Sequence, residues 1–106
     1  MGKYLLEVSY TVEGTQGLLK DGGSKRRAAA QEAAQAVGGK IDAFYYAFGE
    51  HDAYLIVDFP DAVSAMALSM VVNAAGAVTI KTTPLLTVED MDKAVKMKIQ
   101  YRKPGQ

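Results

Sequence analysis

Two extended apolar runs, residues 40–48 and 53–59, are joined by Gly49-Glu50-His51-Asp52. Four turn-forming residues between two strands specify an antiparallel hairpin, and this one lies at the middle of the chain. What flanks it is symmetric. Before it, residues 3–11 alternate, with Tyr4, Leu6, Val8 and Tyr10 on one face and Leu5, Glu7, Ser9 and Thr11 on the other. That period of two marks a strand. Residues 12–23 carry Gly14, Gly17, Gly22 and Gly23 around Leu18-Leu19, which predicts a loop with at most one helical turn. Ser24 is read as the N-cap of an alanine-rich helix over 25–37, closed by Gly38-Gly39.

After the hairpin, Pro60-Asp61 stops the strand and Asp61 caps a helix over 62–75, with Val63, Met66, Ala67, Met70 and Ala74 on one stripe. Gly76 ends it, and residues 77–87 form a strand bent near Pro84, hence at an edge or end. Thr87 starts a last helix with acids in its first turn and an apolar line of Met91, Val95 and Ile99; residues 100–106 are expected to fray. The order is β-α-β-β-α-β plus a terminal helix. It specifies a ferredoxin-like α+β fold: a four-stranded antiparallel sheet with both crossover helices on one face. A chain of 106 residues has room for one domain, 1–106.

Helices cover one sheet face, so a monomer should be polar on the other. Strands two and three are apolar on both sides: Ala43, Tyr45 and Ala47 oppose Phe44, Tyr46 and Phe48, and Tyr54 and Ile56 oppose Ala53, Leu55, Val57 and Phe59. At ~25 cal/mol per Å², leaving such a face in water forgoes several kcal/mol of burial. A sheet-to-sheet homodimer or higher homo-oligomer is the expected resolution; the bland alternative folds the C-terminal helix over its own sheet. The first helix would turn Ala29, Ala30, Ala33 and Val37 inward. Such small residues opposite Tyr and Phe imply either close approach or a gap fit for a small apolar or aromatic ligand.

Composition removes whole classes of function. Lys+Arg and Asp+Glu are both 12, so no basic field draws in nucleic acid or a membrane surface, and neither is an expected partner. There is no Cys and one His, so thiol chemistry and one-chain multi-imidazole metal sites are excluded; no cofactor and no metal are expected. The start Met1-Gly2-Lys3-Tyr4-Leu5 is a poor secretory leader because polar residues return at Glu7, so the cytoplasm is the expected location. The uncharged run from Ala62 to Ile80 approaches a membrane span in length but is broken by Asn73 and Gly76.

His51-Asp52, at the hairpin turn, is the candidate catalytic pair: an imidazole serves as acid or base if it faces a pocket, and otherwise is an exposed turn residue. Tyr10, Tyr45, Tyr46 and Tyr54 are the candidate ligand-binding residues, although a dimer interface is the better use for amphipathic tyrosines. Lys25-Arg26-Arg27, at the start of a helix, reads as an anion site or, more simply, as a solvated turn. Leu68 and Val72 are expected on the outer side of the second helix, as contact points for a partner.

The stretch Ala43-Phe44-Tyr45-Tyr46-Ala47-Phe48-Gly49-Glu50-His51-Asp52, followed by an apolar strand and Pro60-Asp61, resembles the GYD domain family of small bacterial proteins. Gly49 and Asp52 match its signature, and His51 takes the tyrosine position. Tyr10-Thr11-Val12-Glu13-Gly14 and Gly38-Gly39-Lys40 are similar as well, so the resemblance spans roughly residues 4–95. It implies a ferredoxin-like fold of the dimeric α+β-barrel type and little about activity. Similar folds hold cofactor-free oxygenases, haem-degrading enzymes, isomerases and effector-binding modules. The expected function is a homo-oligomeric small-molecule binding or assembly module. The alternative is a cofactor-independent oxygenase or isomerase acting on an aromatic or quinone-like substrate.

Overall fold

A computed structural model describes residues 2–106; Met1, part of the N-terminal targeting reading, lies outside the described residues. The elements are β1 (Gly2–Tyr10), α1 (Val12–Asp21), α2 (Gly23–Ala36), β2 (Lys40–Tyr46), β3 (Ala53–Phe59), α3 (Ala62–Ala75), β4 (Val78–Leu85) and α4 (Val88–Lys96). The four strands form one antiparallel sheet in the order β2-β3-β1-β4, the ferredoxin-like α+β arrangement. The central hairpin forms, with the Ala47 amide donating to the Asp52 carbonyl at 2.7 Å. Pro84 lies within β4, where its missing N–H is tolerated because β4 is an edge strand.

Alternation decides which side chains meet the helices. Leu6, Val8, Ala53, Leu55, Val57, Phe59 and Val78 point to one face and are buried beneath α2 and α3, with Ala34 and Ala65 closing over them. Lys3, Leu5, Glu7 and Ser9 of β1 point the other way, with Tyr54, Ile56 and Asp58 of β3. Among the described residues no element packs on that open face. Its centre is a row Ala43–Ile56–Leu5–Thr83 running across all four strands. Polar residues lie at either end.

Several expectations are corrected. Residues 12–21 form a full helix, not a loop. Thr11 caps it, accepting from the Gly14 amide at 3.2 Å and donating to the Gly76 carbonyl at 2.8 Å. Gly14 is there for close approach: a Cβ on it would sit 1.8 Å from the Ala77 carbonyl oxygen. The glycines that suggested a breaker instead let α1 dock against the start of β4. The N-cap of α2 is Gly22, with no side-chain cap bond, and Ser24 falls inside the helix. In α2 the buried contact is Ala34, while Ala29 is exposed.

The face of α3 is the reverse of that expected. Ala65, Leu68 and Val72 pack on the core, while Val63, Met66 and Met70 are exposed. This helix is uncharged and has apolar residues on every side, so its apolar residues offer two competing stripes. Its rotation is fixed by polar bonds to β4: Ser69 to the Thr82 hydroxyl at 2.8 Å, and the Ile80 amide to Asn73 Oδ1 at 2.7 Å. Among the described residues no helix is long and apolar enough to cross a membrane. Gly76, at φ +83°, splits the uncharged run into α3 and β4.

A capping box between Thr87 and Asp90 starts α4. All nine of its residues are exposed, so it does not fold over its own sheet. It stops at Lys96, which leaves Ile99 outside the helix that was to carry the Met91–Val95–Ile99 line.

Candidate functional site

Beneath α2 the packing is incomplete. Ala34 reaches the sheet, but Ala29, Ala30 and Ala33 are too short to fill the space above Leu6, Val8, Leu55 and Phe44. Leu68 and Val72 of α3 and Ile80 of β4 close the far side. The result is a cavity of about 150 Å³ whose lining is apolar except at Tyr10 and Arg26. Of the two arrangements open at the level of sequence, the gap is the one present. Enclosed apolar cavities of this size accept single-ring molecules such as benzene; this one is partly open beside the exposed Ala29.

Tyr10 divides this cavity from an open cleft of about 370 Å³ lined by Thr15, Leu18, Gly23, Tyr46, Ala47 and Asp52. Burial pushes the Tyr10 hydroxyl above its ordinary pKa; Tyr46 and the Asp52 carboxylate add to the effect, and the Arg26 guanidinium opposes it. The hydroxyl therefore remains a donor at neutral pH. The Tyr46 hydroxyl donates to the Gly23 carbonyl at 2.9 Å, tying β2 to the start of α2.

The proposed pair at the turn separates. Asp52 is bound into the end of β1: its Oδ2 accepts from the Tyr10 amide at 2.7 Å, and its own amide donates to the Val8 carbonyl at 2.8 Å. His51 lies on the open face instead. Its Nε2 is 3.0 Å from Glu7 Oε2 and its Nδ1 3.1 Å from Ser9 Oγ, with the Tyr54 ring edge-on at 5.8 Å. Nε2–H donating to Glu7 and Nδ1 accepting from the Ser9 hydroxyl satisfies every group. The sheet thus stands between His51 and the apolar cavity.

The four tyrosines divide in the same way. Tyr10 and Tyr46 face the helices, while Tyr45 and Tyr54 are paired across β2 and β3 on the open face, Tyr45 exposed. Of the basic triplet, Lys25 and Arg27 are exposed and Arg26 is half-buried at the cavity. Sequence reading missed Glu7 and Ser9; their spacing of two put them on one face, but nothing indicated that the turn would bring His51 over it. At the other end of the open face Lys3 binds Asp42 and Asp58, and the Asp58 contact is 3.2 Å. Asp42, and then Asp58, hold the Lys3 ammonium above its ordinary pKa.

Neither the curated proteins nor the solved structures contain a match to the chain. The GYD domain model matches residues 4–95, taking in both halves of the sheet, the cavity and the hairpin turn, and the chain therefore belongs to the GYD domain family.

Proposed function

We propose that this GYD domain is a binding module for a small, largely apolar molecule held between α2, α3 and the sheet. The observation that carries the reading is the alanine-lined cavity of about 150 Å³. Its test is a thermal-shift and NMR titration with benzene, toluene and indole. A ligand that binds only the folded state raises the unfolding midpoint with concentration. Ala33→Leu, which fills the space, should abolish the rise. A flat midpoint for every probe overturns the reading.

We further propose that the module works as a homo-oligomer joined through the open face. The row around Leu5 and Ile56, with Tyr45 and Tyr54 beside it, supports this, as do the exposed Val88, Met91 and Val95 of α4. A nine-residue helix is marginal without a packing partner. Sedimentation should give a dimer or larger species, and Leu5→Glu a protomer.

The second reading is acid–base chemistry on the open face, a cofactor-independent isomerase or oxygenase. The supporting observation is the Ser9–His51–Glu7 chain, an imidazole within hydrogen-bond reach of a hydroxyl and a carboxylate. It stands second because the cavity lies across the sheet from it. Turnover of an aromatic or quinone-like substrate that vanishes in His51→Ala would promote it; unchanged turnover in that variant would reject it.

A further inference from the structure

The cavity has one charged residue in its lining, Arg26, from the first turn of α2. It is half-buried, and among the described residues no carboxylate lies within ion-pair distance of it. Asp52, in the lining of the neighbouring cleft, accepts from the Tyr10 amide. No acidic residue occupies the first turn of α2, and Lys25 and Arg27 flank Arg26 there. The helix dipole gives a cation nothing at this end, so the charge is not placed to suit the helix. Elsewhere on the molecule the half-buried carboxylates have polar partners: Asp58 has Lys3, Glu7 has His51, and Asp52 has the Tyr10 amide.

A guanidinium is a planar fork that pairs with a carboxylate through two parallel bonds, and such bonds strengthen where water is thin. The apolar walls admit about one ring. An apolar body and a single planar anionic group are the two features this lining can satisfy together. We infer that the ligand is a small carboxylic acid, one ring or a short branched chain, its hydrocarbon part in the cavity and its carboxylate on Arg26. This rests on the cavity reading above and names the ligand class for it.

The test uses the full chain at neutral pH with matched single-ring probes: benzoate, benzyl alcohol and phenyl phosphate, titrated calorimetrically against the native protein, Arg26→Gln, Arg26→Lys and Ala33→Leu. Benzoate should bind about tenfold or more tighter than benzyl alcohol, as a charge-assisted pair allows. Arg26→Gln should erase that preference while leaving benzyl alcohol binding in place. Arg26→Lys should retain part of it, because the charge stays and the fork is lost. Ala33→Leu should weaken all probes. If benzyl alcohol binds as well as benzoate, or Arg26→Gln leaves the preference intact, the carboxylate assignment is overturned and the cavity reading stands. A preference for phenyl phosphate over benzoate replaces the carboxylate with a phosphate and also overturns it. If no probe binds and Ala33→Leu changes nothing, both fail together.

Discussion

The two faces of this sheet are built from alternate residues of the same strands, yet they solve opposite problems. The covered face is largely apolar and lies under two helices, but the alanines of α2 leave it underfilled. The open face has no cover, and its polar groups bind one another: Lys3 with Asp42 and Asp58 at one end, Glu7 with His51 and Ser9 at the other. The face with the right composition for a core thus carries the vacancy. The face with no core ties most of its polar groups to one another and leaves a central apolar row to be buried. Composition alone ranks neither face as a site. What decides is whether the opposing element reaches far enough to use what the strands present.

The largest expected effect separates the faces directly. Leu55→Ala, on the covered face at 5% exposure, should cost about 2–5 kcal/mol in urea unfolding. Leu5→Ala, diagonally near it on the open face, should cost well under half as much at low protein concentration. At high concentration the gap should narrow if copies of the chain bury Leu5. Equal costs at every concentration would erase the distinction between the faces.

Next comes the edge where α1 meets the covered side. Gly14→Ala drives a methyl group into the Ala77 carbonyl and should cost about 1–3 kcal/mol or more. Gly17→Ala, in the same helix with nothing near its Cβ position, should instead gain up to ~1 kcal/mol from helix propensity. If both glycines respond alike, α1 is not held by close approach. A third change has the opposite sign. Ala33→Leu should raise stability by about 0.5–2 kcal/mol, because it fills space beneath α2 rather than displacing packed atoms. On the open face, His51→Ala should lower stability by only about 0.5–1.5 kcal/mol, the worth of its hydrogen bonds to Glu7 and Ser9.

How much of this was legible in the sequence follows from the range of the interactions involved. The strands were readable because alternation is local: β3 and α3 fall at 53–59 and 62–75 as their punctuation by Asp52, Pro60-Asp61 and Gly76 specifies. α1 was not, because Gly14 acts through a contact with Ala77, 63 positions away in the chain and visible only after folding. The rotation of α3 was illegible for a different reason: with no charge on the helix, only Ser69 and Asn73 mark the inner face, and they do so through partners on β4. The alanine stripe pointed to the cavity, but whether α2 would sit close or stand off depends on ångström-scale backbone placement that no residue pattern encodes. His51 was recognised as the singular titratable residue, while its partners Glu7 and Ser9 were hidden by the return of the turn over β1.

The smallest effect probes the electrostatics of each face. Tyr10 represents the covered side: burial raises its folded pKa above the ordinary value of about 10. Lys3 represents the open side, where Asp42 and Asp58 raise it. A group whose folded pKa is raised contributes fully below its unfolded pKa and loses that contribution as pH climbs through the folded value. Both therefore predict a loss of stability in the alkaline range and none from these groups between pH 6 and about 9. Salt should tell them apart, since exposed charges are screened and desolvation is not. In low salt, Tyr10→Phe and Lys3→Met should each flatten the alkaline fall in urea midpoint. In roughly 1 M salt, where the screening length is about 3 Å, the effect of Lys3→Met should shrink while Tyr10→Phe keeps its effect. A Tyr10 contribution that salt removes as readily as that of Lys3 would mean water reaches the rim of the cavity as freely as it reaches the open face, and the contrast between the two sides would fail there.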